Sequence, residues 1–169
     1  MDKCATSRNS SRVVGERRRD SEVRGVVGFG YEGRSVEDLV AFARQAGFAS
    51  VVDVRLTPIS RRKGFSKSAL AAELEKSGIA YVHLPALGNP RDNRAGYART
   101  NDDAGRRARE RYAKDVLESA QGQAALVEVR RLADEGVVLL CFEADEPLCH
   151  RGDVVAALGA AILPVTAKP

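Results

Sequence analysis

The sequence predicts a single α/β domain in which a mainly parallel sheet is covered by helices on both faces. Three observations carry that expectation. Short apolar runs such as Val137 to Phe142 are hydrophobic at every position, as strands buried on both faces require. These runs alternate with segments of helical periodicity, the pattern of βαβ units. Glycines fall just after the helical segments, at positions 47, 78, 136 and 159, where chain direction changes.

Taken in order, residues 26–29 (VVGF) form a short buried strand that runs into a glycine-rich turn. Ser35, followed three residues later by Asp38, has the form of a capping box. Leu39, Val40, Ala43 and Ala46 then give one apolar helical face that stops at Gly47. Residues 51–54 (VVDV) form the second strand. A helix from about residue 66 presents Leu70 and Leu74 on one side, and residues 79–84 make the third strand. The stretch 90–103 is polar and turn-rich. Helices are predicted near 104–119 and 121–134, a strand over 137–142, a helix from about Pro147 to Gly159, and a last short strand over 161–163. With right-handed crossovers the simplest topology is a doubly wound sandwich, flavodoxin-like or Rossmann-like, which binds ligands beyond the carboxyl ends of its strands.

Composition narrows the function classes. Of the 27 basic and 23 acidic residues, seven and four lie within residues 1–24, which leaves 20 and 19 in the rest. Residues 1–24 read as a disordered basic tail that includes Arg17, Arg18 and Arg19, and residues 25–169 as the α/β domain. The tail can be a solvated extension or an electrostatic contact for RNA or an acidic partner. The nearly neutral body does not have the overall charge of a general nucleic-acid binder. No apolar run approaches the length of a membrane span and no secretory h-region follows the N-terminus, so a cytoplasmic protein is expected. Three cysteines, Cys4, Cys141 and Cys149, do not make a disulfide framework. Cys141 and Cys149 flank one loop, where either a regulatory disulfide or two thiols pointing apart can be read.

Four segments follow predicted strands: GYEGRS at 30–35, DVRLTPISRRKGFS at 53–66, LGNP at 87–90 and CFEADEPLCHR at 141–151. Together they resemble the bacterial and archaeal family catalogued as domain of unknown function 488, across about residues 25–160. The resemblance marks the four segments as one unit and implies no activity, so the chemistry is read from the residues.

At the end of the first strand and in the first segment, Gly28, Gly30 and Gly33 either let backbone amides approach an anion or simply make a tight turn, with Tyr31 and Arg34 beside them. In the second, Asp53 is an acidic group within an apolar run and requires a partner. It is either a structural ion pair with Arg55, or a general base or ligand anchor. Arg61, Arg62 and Lys63 form a basic loop, solvated or folded over an acidic substrate. His83 reads as a hydrogen-bonded core group, and Asn89 can present an amide to the cleft.

In the fourth segment Cys141, Glu143 and Asp145 alternate off a strand end, and Cys149, His150 and Arg151 open a helix. Cys149 is either an activated thiol at a helix start or a packed one. His150 is a candidate acid–base group, and Arg151 either holds an anion or pairs with Asp53, Glu143 or Asp145. The cysteine–arginine spacing is not that of an anion-cradling loop. Cys141, Cys149, His150 and His83 could supply soft metal ligands, but no C-x-x-C or H-x-x-x-H spacing appears, so no metal set is assigned, and a hard ion at Asp53, Glu143 and Asp145 fits better than zinc. No cofactor is identified by motif. The expected function is a small enzyme for a phosphorylated or other anionic substrate, such as a nucleotide or nucleic-acid fragment. Arg34, Arg55 and Arg151 would bind it, with Asp53, Glu143 and His150 for acid–base chemistry. The alternatives are a non-catalytic sensor of an anionic ligand, and an RNA- or protein-binding adaptor working through the tail and residues 91–114.

Overall fold

The computed structural model describes residues 25–98 and 102–159. The predicted tail over 1–24 and the predicted last strand over 161–163 lie outside the described residues. Four strands, β1 (Val26–Gly30), β2 (Ser50–Asp53), β3 (Ala80–His83) and β4 (Val137–Cys141), make one sheet in the order β1-β4-β2-β3, and every pairing is parallel. The expected doubly wound α/β architecture is the one observed.

Helix α1 (Val36–Ala46) begins at the Ser35 capping box, with Ser35 Oγ accepting from the Asp38 amide and Asp38 accepting from the Ser35 amide. It ends at Gly47, whose φ of 68° only glycine adopts without strain. With α2 (Lys67–Lys76) it covers one face of the sheet, where Leu39, Ala43, Leu70 and Leu74 pack on Val27, Phe29, Val51, Val138 and Leu140. The long connection from β3 to β4 carries α3 (Arg94–Tyr97), α4 (Asp103–Tyr112) and α5 (Ala120–Ala133). Residues from α4, α5 and the closing helix α6 (Arg151–Leu158) bury Val26, Val52, Val137 and Leu139 on the opposite face. All five residues of β4 are buried, which explains its unbroken apolar sequence.

Two predicted helices are corrected. The segment expected as one helix near 104–119 is helical over Asp103–Leu117 but changes type, α-helical to Tyr112 and a π-helix over Ala113–Leu117. The helix expected from Pro147 is instead a 3₁₀ turn, Glu146–Leu148, followed by extended Cys149 with φ −127° and ψ 138°. The Cys149 amide closes that turn on the Glu146 carbonyl, its side chain joins the core, and regular helix starts only at Arg151.

The glycines of the first segment are accounted for by packing and by turn geometry. A Cβ on Gly30 would sit 1.8 Å from the Glu143 carbonyl oxygen, so the loop after β4 closes against a bare backbone. Gly33 has φ +75° with nothing near its Cβ position. Gly30→Ala is expected to lower unfolding stability by about 3 kcal/mol as an overpacked backbone contact. Gly33→Ala is expected to cost only about 1 kcal/mol, from its left-handed φ. Urea denaturation of the two variants checks that ranking, and equal effects would show that the Gly30 contact relaxes freely.

Candidate functional site

The loops leaving β1 and β2 lead to helices on one face of the sheet, whereas the loop leaving β4, between them, leads to α6 on the other. Divergent loops open a crevice at the carboxyl edge, as this class of sheet does where strand order reverses. The crevice has a volume of about 420 Å³, within the range of roughly 300–1,000 Å³ common for small-molecule sites. Tyr31, Arg55, Asn89, Cys141, Glu143 and His150 all line it, so all four motif segments or their immediate neighbours reach one place.

Side-chain parity sorts what lies around it. Asp53 stands level with Leu140 of the neighbouring strand and faces the α1–α2 layer. Fully buried, it takes Arg55 Nε at 2.8 Å and Nη2 at 2.5 Å, and the Tyr81 hydroxyl at 2.7 Å. Arg55 also donates to the Tyr31 hydroxyl and the Phe65 carbonyl, four side-chain bonds in all. Burial acts to lower the Arg55 pKa, but the Asp53 hydrogen bond and charge hold it above its ordinary value. Burial, then the Asp53 carboxylate, pushes the Tyr81 hydroxyl up. Asp53 therefore lies outside the crevice lining and reaches it through Arg55. Of the two readings of Asp53, the ion pair with Arg55 is present in the structure.

Cys141 has the opposite parity, so its thiol lies on the α6 side. There it meets Cys149 and His150. The His150 Nδ1 lies 3.9 Å from each sulfur, and the three donor atoms all lie within 4.8 Å of one another. The His150 Nε2 lies 3.1 Å from the Val54 carbonyl oxygen, which can only accept, so Nε2 carries a proton and donates to it, and Nδ1 is turned toward the two sulfurs. Glu143 Oε2 accepts from the Cys141 thiol at 3.2 Å. The shared hydrogen bond with Cys141, opposed by burial and helped by His150, brings the Cys149 thiol down to about 6. The Cys141 thiol is pushed well up by its bond to Cys149 and by burial. Burial acts to raise the Glu143 carboxyl, yet hydrogen bonds from Cys149, its own backbone and Cys141 leave it below its ordinary value.

The remaining sequence-derived candidates divide. Asn89 is buried at the crevice wall and accepts from Asn93 Nδ2. Arg34 lies outside the lining, its guanidinium 4.8 Å over the Phe29 ring. Arg151 is 2% exposed and donates to the backbone carbonyls of Glu143 and Ala144, so it holds the loop after β4 in shape and does not line the crevice. Cys149 opens on a shallower neighbouring groove. His83, half-buried, places Nε2 2.9 Å from the Arg55 carbonyl.

Sequence reasoning missed Arg94 and Tyr97, which sit in α3 and line the crevice. The signal was available, since the polar stretch that contains them follows the third strand. Of the soft donors the sequence offers, Cys141, Cys149 and His150 come together and His83 is not among them; their spacing carries no ligand motif because seven intervening residues fold into a loop that returns beside the strand end.

The Asp53–Arg55 pair gives a stability prediction. Asp53→Asn is expected to cost about 3–5 kcal/mol, because removing one partner leaves a buried charge uncompensated. Asp53→Leu combined with Arg55→Met should be less damaging than Asp53→Asn alone. Chemical denaturation of the variants measures both, and a double variant worse than the single one would refute the pairing argument.

The curated proteins and the solved structures contain no match to the chain. A family model described as "Domain of unknown function DUF488" matches residues 35–158. That span contains the second, third and fourth motif segments, the crevice residues from Arg55 onward and the whole thiol–imidazole cluster. The match covers well over half of the sequence, and the chain belongs to the DUF488 family.

Proposed function

We propose that the chain is an enzyme for a small substrate that combines an anionic group, such as a phosphate, with a flat apolar portion, as a nucleotide does. The observation that carries this reading is a group of arginines without counter-charges around the crevice. Arg61, Arg62 and Arg94 line it, and none has a carboxylate partner among the described residues. Arg62 and Arg94 reach only backbone carbonyls, those of Arg34 and Asn89. Arg55, Arg106, Arg111 and Arg131 are matched to acids, and Arg44, Arg109 and Arg130 reach only carbonyls elsewhere, so what sets Arg61, Arg62 and Arg94 apart is that they share one cavity. In a body whose charges otherwise nearly cancel, three unneutralised guanidinium groups on one cavity favour an anion, which they can grip in planar, charge-assisted bonds.

The rest of the lining supports a second, apolar recognition surface. Ile59 is 77% exposed, and Leu56 and Phe142 are also open to solvent at the same crevice. Exposed apolar side chains beside unpaired cations match a ligand with a ring and a charged group better than a free inorganic anion. Glu143 supplies a carboxylate at the inner wall for acid–base work. The adaptor reading draws less support, because within 91–114 Arg106 and Arg111 are paired with Asp103, Glu110, Asp92 and Asp115.

Phosphate and nucleoside monophosphates should each raise the melting temperature relative to chloride at matched ionic strength, the nucleotide more at equal concentration. At a free ligand concentration ten times Kd, the expected rise is roughly 3–6 °C. Arg94→Ala should cut that response, whereas Arg130→Ala, whose guanidinium reaches only Ala157 on the far side, should not. Equal shifts in chloride and phosphate would remove the anion reading. A full response with Glu143→Gln, but with turnover lost, would separate an enzyme from a sensor.

A further inference from the structure

We infer that Cys141, Cys149 and His150 form a zinc site bordering the crevice, with three protein ligands and a fourth position for water. The donors come from separate pieces of chain: the last residue of β4, the extended residue after the 3₁₀ turn and the residue that leads into α6. Nothing in their local sequence forces them together, yet all three donor atoms lie within 4.8 Å of one another and all three residues are buried. A tetrahedral zinc, with bonds of about 2.3 Å to sulfur and about 2.0 Å to nitrogen, sets its sulfur and nitrogen corners roughly 3.6 Å apart. The two sulfur–Nδ1 distances are 3.9 Å, close to that geometry, and the two sulfurs, which lie within 4.8 Å of each other, would close to about 3.8 Å around the ion.

The imidazole is prepared for the role. Its Nε2 proton is engaged by the Val54 carbonyl, the outer-shell bond that fixes tautomer and ring orientation in metal-bound histidines. Tyr97 and Tyr112 meet the ring edge to face, with centroids 6.5 and 5.4 Å away, and restrict its rotation. Two soft sulfurs and one imidazole select zinc over magnesium or calcium. Two thiolates also match the charge of a divalent ion, so the occupied site is electrically neutral where it is buried.

Three protein ligands are the complement of catalytic zinc sites, which keep one position for water or substrate. Cys141 and His150 line the crevice, and Glu143 stands there with Oε2 3.2 Å from the Cys141 sulfur. An ion held there would acidify water at its fourth position, and Glu143 is the carboxylate beside it. This catalytic role rests on the anionic-substrate reading above, whereas binding of the ion does not.

The test uses the full chain, reduced and metal-free, titrated with cobalt(II) and followed by absorption. The expected result is one cobalt per chain, with thiolate-to-cobalt charge transfer in the near ultraviolet and visible bands of tetrahedral intensity. Zinc should bleach these bands stoichiometrically. Cys141→Ser and Cys149→Ser should each reduce the charge-transfer intensity per bound cobalt by about half, and Cys4→Ser should leave it unchanged. Should a serine variant fail to fold, X-ray absorption of the zinc-loaded wild type decides, with two sulfur neighbours expected. Cobalt bound without thiolate charge transfer, a zinc shell without sulfur, or loss of the bands in Cys4→Ser would overturn the assignment. Because the phosphate-induced melting shift can be measured on the metal-free chain, failure here is distinguishable from failure of the anion reading.

Discussion

Insertion of β4 between β1 and β2 is the constraint on which the rest of the molecule depends. It places the most apolar strand at the centre, with neighbours on both edges and helices on both faces. It also forces the loop after β4 to leave toward the face opposite the loops on either side of it. The crevice exists because those loops diverge, and the motif residues meet there because each follows one of the strands that end there.

Around that crevice the charged groups divide into those that build it and those left to act. Asp53, Arg55, Tyr31 and Tyr81 saturate one another beneath one wall, and Arg151 clamps the carbonyls of the opposite loop. The Asp53 and Arg55 side chains are too fully engaged to respond to a ligand without loss of structure, whereas the buried Nε of Arg151 has no hydrogen bond and lies 3.9 Å from Glu146. Arg62 and Arg94 each hold only one backbone carbonyl, and Glu143, Cys141 and His150 line the same crevice. The distinction is one of hydrogen-bond saturation, and it reassigns several arginines that look equivalent in the sequence.

Much of the fold was legible from local signals. The Ser35–Asp38 capping box, the glycine stops and the unbroken apolar run of β4 each reflect a short-range physical requirement, and each led to an observed element. Convergence of the motif segments followed from the general rule for parallel sheets. What the sequence hid was set by long-range geometry. Asp53 and Cys141 belong to adjacent strands, but Asp53 pairs in register with Leu140, so their side chains fall on opposite faces. No one-dimensional pattern encodes that register. The extended Cys149 was equally hidden, because Pro147 and its neighbours are as compatible with the start of an α-helix as with an isolated 3₁₀ turn.

The position of β4 also sets the order in which the molecule can assemble. β2 and β3 are joined by a single helix and can pair as soon as both exist, but among the described strands β1 pairs only with β4. More than a hundred residues separate Val26 from its partner Val137. During synthesis from the N-terminus, the apolar β1 and one edge of β2 therefore remain without their partner until β4 emerges. That interval, with unpaired strand edges and a long loop still to close, is when the chain is most open to wrong pairing and aggregation.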